Sequence, residues 1–384
     1  MVVCAYYPLG EPRVQREAEA LVEAGFEVDV ICLQGRGELN RERYRSVDIH
    51  RLPLTVDKRS LVHQLFGYLK FAVRAALRLT RLNHVKHYRT VQVHNLPDFL
   101  VFCALVPKMM GVPLILDLHD LMPEFFAGRF GMRRPLLTRL IAWQEKVACR
   151  FADHVVTVSD HWKDALVERG VKQEKISVVM NVADEKMFRP RRRAADPSEF
   201  TLIYHGTVAY RYGLDLALRA VALVRGEVPT IRMTILGTGD LMPELFDLRR
   251  RLGLQEVVEL RDELVLVEEL QAILETATLG VVPYRNDVFT DGLLPTKLME
   301  YAAIGLPSVA SRTTVIESHF RDSMVEFFHP GDVPDLARCL RELHSDPDRL
   351  STLARRSARF TSTHNWARIG SRYVEVVRGL AERH

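Results

Sequence analysis

The sequence predicts an α/β protein of two doubly wound, parallel-sheet domains, and three observations carry that prediction. Strand-like apolar segments alternate with helix-spaced segments along the whole chain, a pattern that builds parallel sheets through right-handed crossovers. The chain has 384 residues, enough for two domains that each bury a core. A charged stretch with two prolines, Arg189 to Ser198, lies near the midpoint and reads as a linker. The 47% hydrophobic and 27% charged composition is that of a globular protein, and a net charge of +4 is too weak to argue for nucleic acid. The five cysteines are scattered without a C-x-x-C pair, which points to reduced thiols in a cytoplasm and not to a disulfide framework or zinc site. Met1 runs directly into a strand-like segment, so no signal peptide is expected. Asp98, Pro107, Lys108 and Pro113 interrupt the most apolar stretch and exclude an ordinary membrane span there.

In order, Met1 to Tyr7 reads as a strand, and Gly10 and Pro12 mark a loop. Val14 to Ala24 has helical spacing and stops at Gly25, and Phe26 to Leu33 alternates as a second strand. This is a βαβ unit without a G-x-G-x-x-G dinucleotide fingerprint. Val47 to Leu52 is a further strand. Leu61 to Leu82 is a long helical pattern in which Lys70, Arg74 and Arg78 recur every four residues. It reads either as a solvated basic face or as a patch for an anionic membrane surface or lipid phosphate. Val91 to His94 is a strand followed by a helix over Asp98 to Met110, and Pro113 to Leu118 is a strand running into DLHDLMPE. His94 and His119 both stand at carboxyl ends of strands. His94 is open between a structural and a functional role. His119 is the stronger candidate, because Asp117, Asp120 and Glu124 are near it in sequence and carboxylates orient imidazoles. A second basic helix over Phe130 to Phe151 carries Arg133, Arg134, Arg139, Lys146 and Arg150. Strands over Asp153 to Ser159 and Lys175 to Met180 flank a helix, His161 to Arg169.

The second half repeats the alternation, with strands at Thr201 to Gly206, Ile231 to Leu236, Val257 to Arg261, Thr278 to Pro283, Ser308 to Ser311 and Met324 to Phe328. Gly237 follows a strand in a G-T-G-D turn and is able to approach a ligand backbone. Residues 284 to 311 organise this half: a strand, a polar loop holding Asp291, Gly292, Leu293, Leu294 and Pro295, a short helix from Thr296 to Ile304, then the next strand. Ligands bind at such carboxyl ends of parallel strands. A helix start presents free N–H groups and partial positive charge to a phosphate. Lys297 in that first turn opposes the helix dipole, a conflict an anionic ligand removes. Glu300, one turn on, suits a pair of sugar hydroxyls. The plainer alternative is a solvated helix with a surface Lys297–Glu300 pair. Asp346-x-Asp348, the one Asp-x-Asp spacing, lies in an SDPD turn and reads as a helix cap, not a metal site.

The run PTKLMEYAAIGLPSVAS, residues 295 to 311, resembles the nucleotide-sugar signature of family 4 retaining glycosyltransferases. The resemblance covers most of the chain. It implies the GT-B arrangement, two Rossmann-like domains facing a cleft: an acceptor domain over 1–187, a nucleotide-sugar domain over 188–365, and a terminal helix, 366–384, returning to the first. It implies transfer of a sugar from a nucleotide-diphosphate donor to a glycan or lipid-linked acceptor hydroxyl. Within it Glu300 grips the donor ribose, Lys297 and the Thr296 helix start hold the diphosphate, and His119 sits by the transferred sugar. The loop around Gly10 faces the donor phosphates. NVADEKMF, from Asn181, is similar to the family's interdomain segment.

Two departures stand out. The family's first glutamate position is occupied by Gly292, with Asp291 beside it. An arginine and a lysine expected after Gly206 are replaced by Thr207 and Tyr212, leaving Arg211 as the nearest cation. The expected chemistry needs no metal or other cofactor. A nucleotide-sugar epimerase or hydrolase of the same fold, or a catalytically silent sugar-nucleotide binder, are the alternatives.

Overall fold

The computed structural model describes residues 1–8, 11–56, 60–130, 135–190, 199–265 and 267–382. The chain divides into two compact units, Met1–Asn181 with Arg368–His384, and Val182–Ala367. The first crossing between units therefore falls within NVADEKMF.

Among the described residues, the first unit holds one eight-stranded sheet. Its strands are β1 (Val2–Tyr6), β2 (Val28–Leu33), β3 (Arg41–Tyr44), β4 (Val47–Leu52), β5 (Val91–His94), β6 (Leu114–Leu118), β7 (His154–Thr157) and β8 (Ile176–Val178). Their order is β3-β4-β2-β1-β5-β6-β7-β8, parallel throughout except at the β3–β4 edge. The second unit holds a six-stranded parallel sheet of β9 (Phe200–His205), β10 (Ile231–Leu236), β11 (Val258–Arg261), β12 (Leu279–Val282), β13 (Ser308–Ser311) and β14 (Glu326–Phe328), in the order β11-β10-β9-β12-β13-β14. Both sheets reverse their winding once, between β1 and β5 and between β9 and β12. Those points open a crevice at the carboxyl ends of the strands, where doubly wound sheets take ligands. Near-continuous burial along β2, β6 and β12 matches strands covered on both faces.

The structure departs from the sequence expectations in instructive places. β3 reads RERY, with no apolar alternation to announce it. It pairs antiparallel to β4 across a turn in which Arg45 and Ser46 take positive φ of 46° and 66°, a conformation not legible in those residue types. The expected helix over Asp98 to Met110 is split into a 3₁₀ segment, Asp98–Ala104, and a short helix, Leu105–Met109. The polar loop before Thr296 contains a helical turn, Val288–Asp291, closed by a capping box between Asp287 and Thr290. Gly10, most of the linker (191–198), Arg133 and Arg134 lie outside the described residues. Asp346 caps the helix Pro347–Thr363 by accepting from the Arg349 N–H at 2.8 Å, the role its sequence context suggests.

Candidate active site

The second unit builds its crevice from the loops after β9 and β12. The helix Thr296–Ile304 starts at Pro295, a residue with no capping side chain. It lies hard against the sheet because Gly280 in β12 has no Cβ. An added one would come within 2.4 Å of the Tyr301 ring. The Tyr301 hydroxyl then donates to the Ile203 carbonyl at 3.3 Å, locking the helix to β9. The turns after β9 and β10 approach equally closely. A Cβ on Gly237, which has φ +145°, would sit 1.9 Å from the Gly206 carbonyl oxygen. Gly237 is therefore explained by loop packing, and through it Gly206 is held beside Lys297.

Lys297 is the centre of this crevice. Its Nζ donates to the Tyr284 hydroxyl at 2.6 Å and lies 4.8, 5.0 and 5.4 Å from the ring centroids of Tyr204, Tyr284 and Tyr212. Burial lowers its pKa to about 8, against the pull of Glu300. Glu300 does not form the surface pair with Lys297 that the plainer reading expects. Its Oε2 lies 3.2 Å from His205 Nε2 instead, at the end of β9. Arg211 sits in the turn Tyr210–Tyr212 with its guanidinium 4.9 Å from the Phe289 ring centroid, so it also braces the helical turn before Gly292. That turn uses its own acids. Asp287 accepts from the Phe289 and Thr290 N–H groups at 2.8 and 2.9 Å, and Asp291 accepts from Thr314 N–H at 2.9 Å. Gly292, Leu294 and Pro295 are buried, and Leu293 and Thr296 are half-buried.

The first unit fills its switch point with charge. Arg13 donates through Nε and Nη2 to the two oxygens of Asp117 at 2.9 and 3.1 Å, and its Nη2 lies 3.1 Å from Glu17. Nη1 reaches the Val179 carbonyl at 2.9 Å and the Asn181 side chain at 2.7 Å. Gln92 donates to Glu17 at 2.7 Å and accepts from the Tyr373 hydroxyl at 2.5 Å, which ties in the terminal helix Trp366–Ala381. Burial opposes charge on Asp117, but Arg13 and then His94 hold its carboxyl far below the usual range. Burial pushes the neighbouring Glu17 up to about 8. His94 is fully buried, with Nδ1 3.1 Å from Asp117.

Of the three carboxylates expected around His119, Asp120 and Asp117 act on its charge and Glu124 is engaged elsewhere. Asp117 is turned toward Arg13 and His94, and Glu124 pairs with Arg169 at 2.6 Å. The backbone N–H of His119 donates to Asn95 Oδ1 at 3.2 Å, and its Nδ1 is buried without a hydrogen-bond partner among the described residues. Burial lowers its pKa in spite of Asp120 and Asp117, so the ring is neutral near neutral pH. Donor atoms of His94, Asp117 and His119 lie within 4.8 Å of one another, close enough in principle for a metal ion. The chemistry does not fit one, because both Asp117 oxygens are committed to a buried guanidinium that would repel a second cation.

The Glycosyltransferase Family 4 profile matches residues 10–186 and the Glycosyl transferases group 1 profile matches residues 199–346, one on each unit. A D-inositol 3-phosphate glycosyltransferase of Thermobispora bispora is 30% identical over 297 residues, covering 73% of this chain and 68% of the relative. The chain is a family 4 glycosyltransferase. Its fold is shared by solved structures, among them the following two. Sucrose-phosphate synthase of Thermosynechococcus elongatus aligns over 100% of this glycosyltransferase and 99% of its own chain, with a TM-score of 0.81 at 16% identity. HepE of Anabaena, solved with UDP-glucose, aligns over 98% of both chains with a TM-score of 0.74 at 16% identity. The glycosyltransferase has the GT-B fold class, and its activity is sugar transfer in glycan biosynthesis. Nothing favours the epimerase, hydrolase or silent-binder readings.

Sequence reasoning did not single out His205, the tyrosines grouped around Lys297, or the buried Arg13. His205 had a usable signal, since it ends a buried strand as His94 and His119 do. The tyrosines come from separate segments and carry no motif.

Proposed function

We propose that the donor is a nucleoside-diphosphate sugar, that its diphosphate is held by Lys297, the free N–H groups at Thr296 and Arg211, and that Glu300 takes the ribose hydroxyls. The observation that carries this reading is the placement of Lys297. A lysine is kept in a tyrosine box at an uncapped helix start, one turn from a carboxylate, with a pKa lowered to about 8. An incoming diphosphate offers both the helix start and the ammonium the negative charge they lack. HepE, with the same fold, holds UDP-glucose in its solved structure, which supports the donor class.

As the acceptor hydroxyl bonds to the anomeric carbon, the bond to the diphosphate breaks, negative charge grows on its terminal phosphate, and the hydroxyl's proton passes to that departing phosphate. Preorganised cations and N–H groups at that oxygen stabilise the transition state. Asp287, Asp291 and Asp346 each cap a helix. The charge therefore falls to the protein's own groups in this reading, and turnover is metal-free. His119 keeps the role beside the transferred sugar that the family resemblance implies, and Gly206, Gly237 and the loop from Asp291 to Pro295 shape the donor loops. The acceptor is a glycan or lipid-linked hydroxyl. Exposed Lys70, Arg74, Arg139, Lys146 and Arg150 support peripheral contact with an anionic membrane face from the cytoplasm. No helix among the described residues is long and apolar enough to cross a membrane.

The test is nucleoside diphosphate release from a panel of nucleotide-diphosphate sugars, after exhaustive EDTA treatment. Release that persists supports the reading. Activity that disappears and returns with Mg²⁺ or Mn²⁺ overturns the metal-free mechanism.

A further inference from the structure

Helix Leu61–Lys86 has two apolar stripes on opposite faces. Phe71, Ala75, Leu79 and Leu82 are buried against the first unit. Val62, Leu65, Phe66, Leu69, Val73 and Leu77 recur at helical spacing on the far side and are exposed, Leu77 by 70%. A surface helix of a globular domain normally puts polar residues there. Lys70, Arg74, Arg78 and Arg81 run alongside this outer stripe, roughly a quarter-turn round a helix of about 3.6 residues per turn.

The outer stripe has neighbours of the same character. The segment Asp98–Met109 touches both this helix and helix Pro135–Phe151. It exposes Leu105, Val106 and Met109, the last by 78%. The second helix exposes Leu136, Leu140 and Trp143 at positions i, i+4 and i+7, with exposed Arg139, Lys146 and Arg150 among them. Across all three segments there are two carboxylates, Asp98 and Glu145, and both are buried. The surface is apolar and carries charge of one sign.

We propose that this face of the first unit inserts its apolar side chains into the interface of an anionic lipid bilayer, with the helix Leu61–Lys86 lying flat and its basic flank on the head groups. The proposal rests on the peripheral-contact reading above and adds apolar insertion to it. Charge selects the occupant. A second copy packed on the same patch would bring like charges together about a two-fold axis. An anionic bilayer instead offers hydrocarbon to the stripe and phosphate to the basic flank, and the long stems of lysine and arginine reach from one to the other. The four basic residues keep the helix from spanning the membrane.

Of the three tryptophans in the sequence, Trp143 is exposed by 62% while Trp162 and Trp366 are buried, so tryptophan emission reports this face. The experiment mixes the full chain with phosphatidylcholine vesicles, with and without phosphatidylserine, and follows co-sedimentation and emission at low and high salt. Insertion predicts a blue shift with anionic vesicles, binding that partly survives high salt, and a loss of affinity of about tenfold or more in the triple variant Phe66→Ser, Leu69→Ser, Leu77→Ser. Anionic binding that high salt abolishes and the triple variant leaves unchanged overturns insertion while the peripheral contact stands. Absence of binding to either vesicle overturns both. A dimer in light scattering, with Trp143 emission already blue-shifted in the absence of lipid, assigns the face to a second copy and overturns the lipid proposal. None of these results touches nucleotide-sugar turnover, which is measured separately.

Discussion

The two switch points of this glycosyltransferase solve the same topological situation in opposite ways. Between β1 and β5 the first unit satisfies its buried charges internally: Arg13 is engaged by Asp117, Glu17, Val179 and Asn181, and the network runs on to Tyr373. Between β9 and β12 the second unit leaves a lysine whose charge is met by aromatic faces and one hydroxyl, at the start of an uncapped helix. The first arrangement holds a fold together. In the proposed reading, the second is completed by the donor's diphosphate. A buried cation is therefore no guide to function by itself, and the chemistry of its partners decides.

The largest expected effect separates the two cations by stability. Arg13→Met leaves Asp117 buried with its charge uncompensated, and removing one partner of such a pair costs about 3–5 kcal/mol. Urea unfolding of the variant should show a loss of that size. A shift below about 1 kcal/mol, the worth of an exposed pair, would show that the network is not structural. Lys297→Ala should do the reverse. It should lower kcat by about 10²-fold or more, the scale of removing one preorganised donor, while leaving the unfolding midpoint unchanged or raised. A variant that unfolds but keeps its kcat would erase the contrast between the two units.

Glu300→Ala should weaken nucleotide binding by at least about tenfold, since charge-assisted hydrogen bonds contribute roughly 1.5–3 kcal/mol each. Calorimetry that finds equal affinity removes Glu300 from the donor site. His205→Ala should give a smaller loss in the same titration, because His205 lies 3.2 Å from Glu300 but does not replace its carboxylate.

The smallest effect is a pH dependence. The Lys297 pKa is lowered to about 8, so the free protein holds its charge at a cost below that pH and is relieved of it as pH rises toward 10.5. A diphosphate binds the charged form. Donor affinity should be flat below about pH 7 and fall by up to about tenfold per unit above pH 8, with proton uptake visible in calorimetry. Lys297→Arg should flatten the profile, because a guanidinium stays charged throughout. An unchanged slope in that variant places the titrating group elsewhere.

Much of this was legible in the chain itself. Val47–Leu52, Val91–His94 and Ile231–Leu236 are strands at the bounds the sequence announces, because apolar residues recur at alternate positions in each and bury one face. The helix Thr296–Ile304 and its stop at Gly305, with φ +71°, follow from local rules that need no tertiary context. Lys297 and Glu300 stood out because a cation in a first helical turn conflicts with the dipole. Partnership was not legible. Glu300 meets His205 rather than Lys297, Asp117 meets Arg13 rather than His119, and Asp291 caps a helix that begins at Thr314. β3 was invisible because a polar edge strand is held by backbone hydrogen bonds, which leave no pattern in side chains. Hydrophobic periodicity and capping act within a few residues, so the sequence by itself determined the elements, their alternation and the motif helix. The tyrosine box, the sealed network and the exposed apolar stripe join residues far apart in the chain or depend on which face of a helix is covered. Only the packing of the sheets and helices decided those.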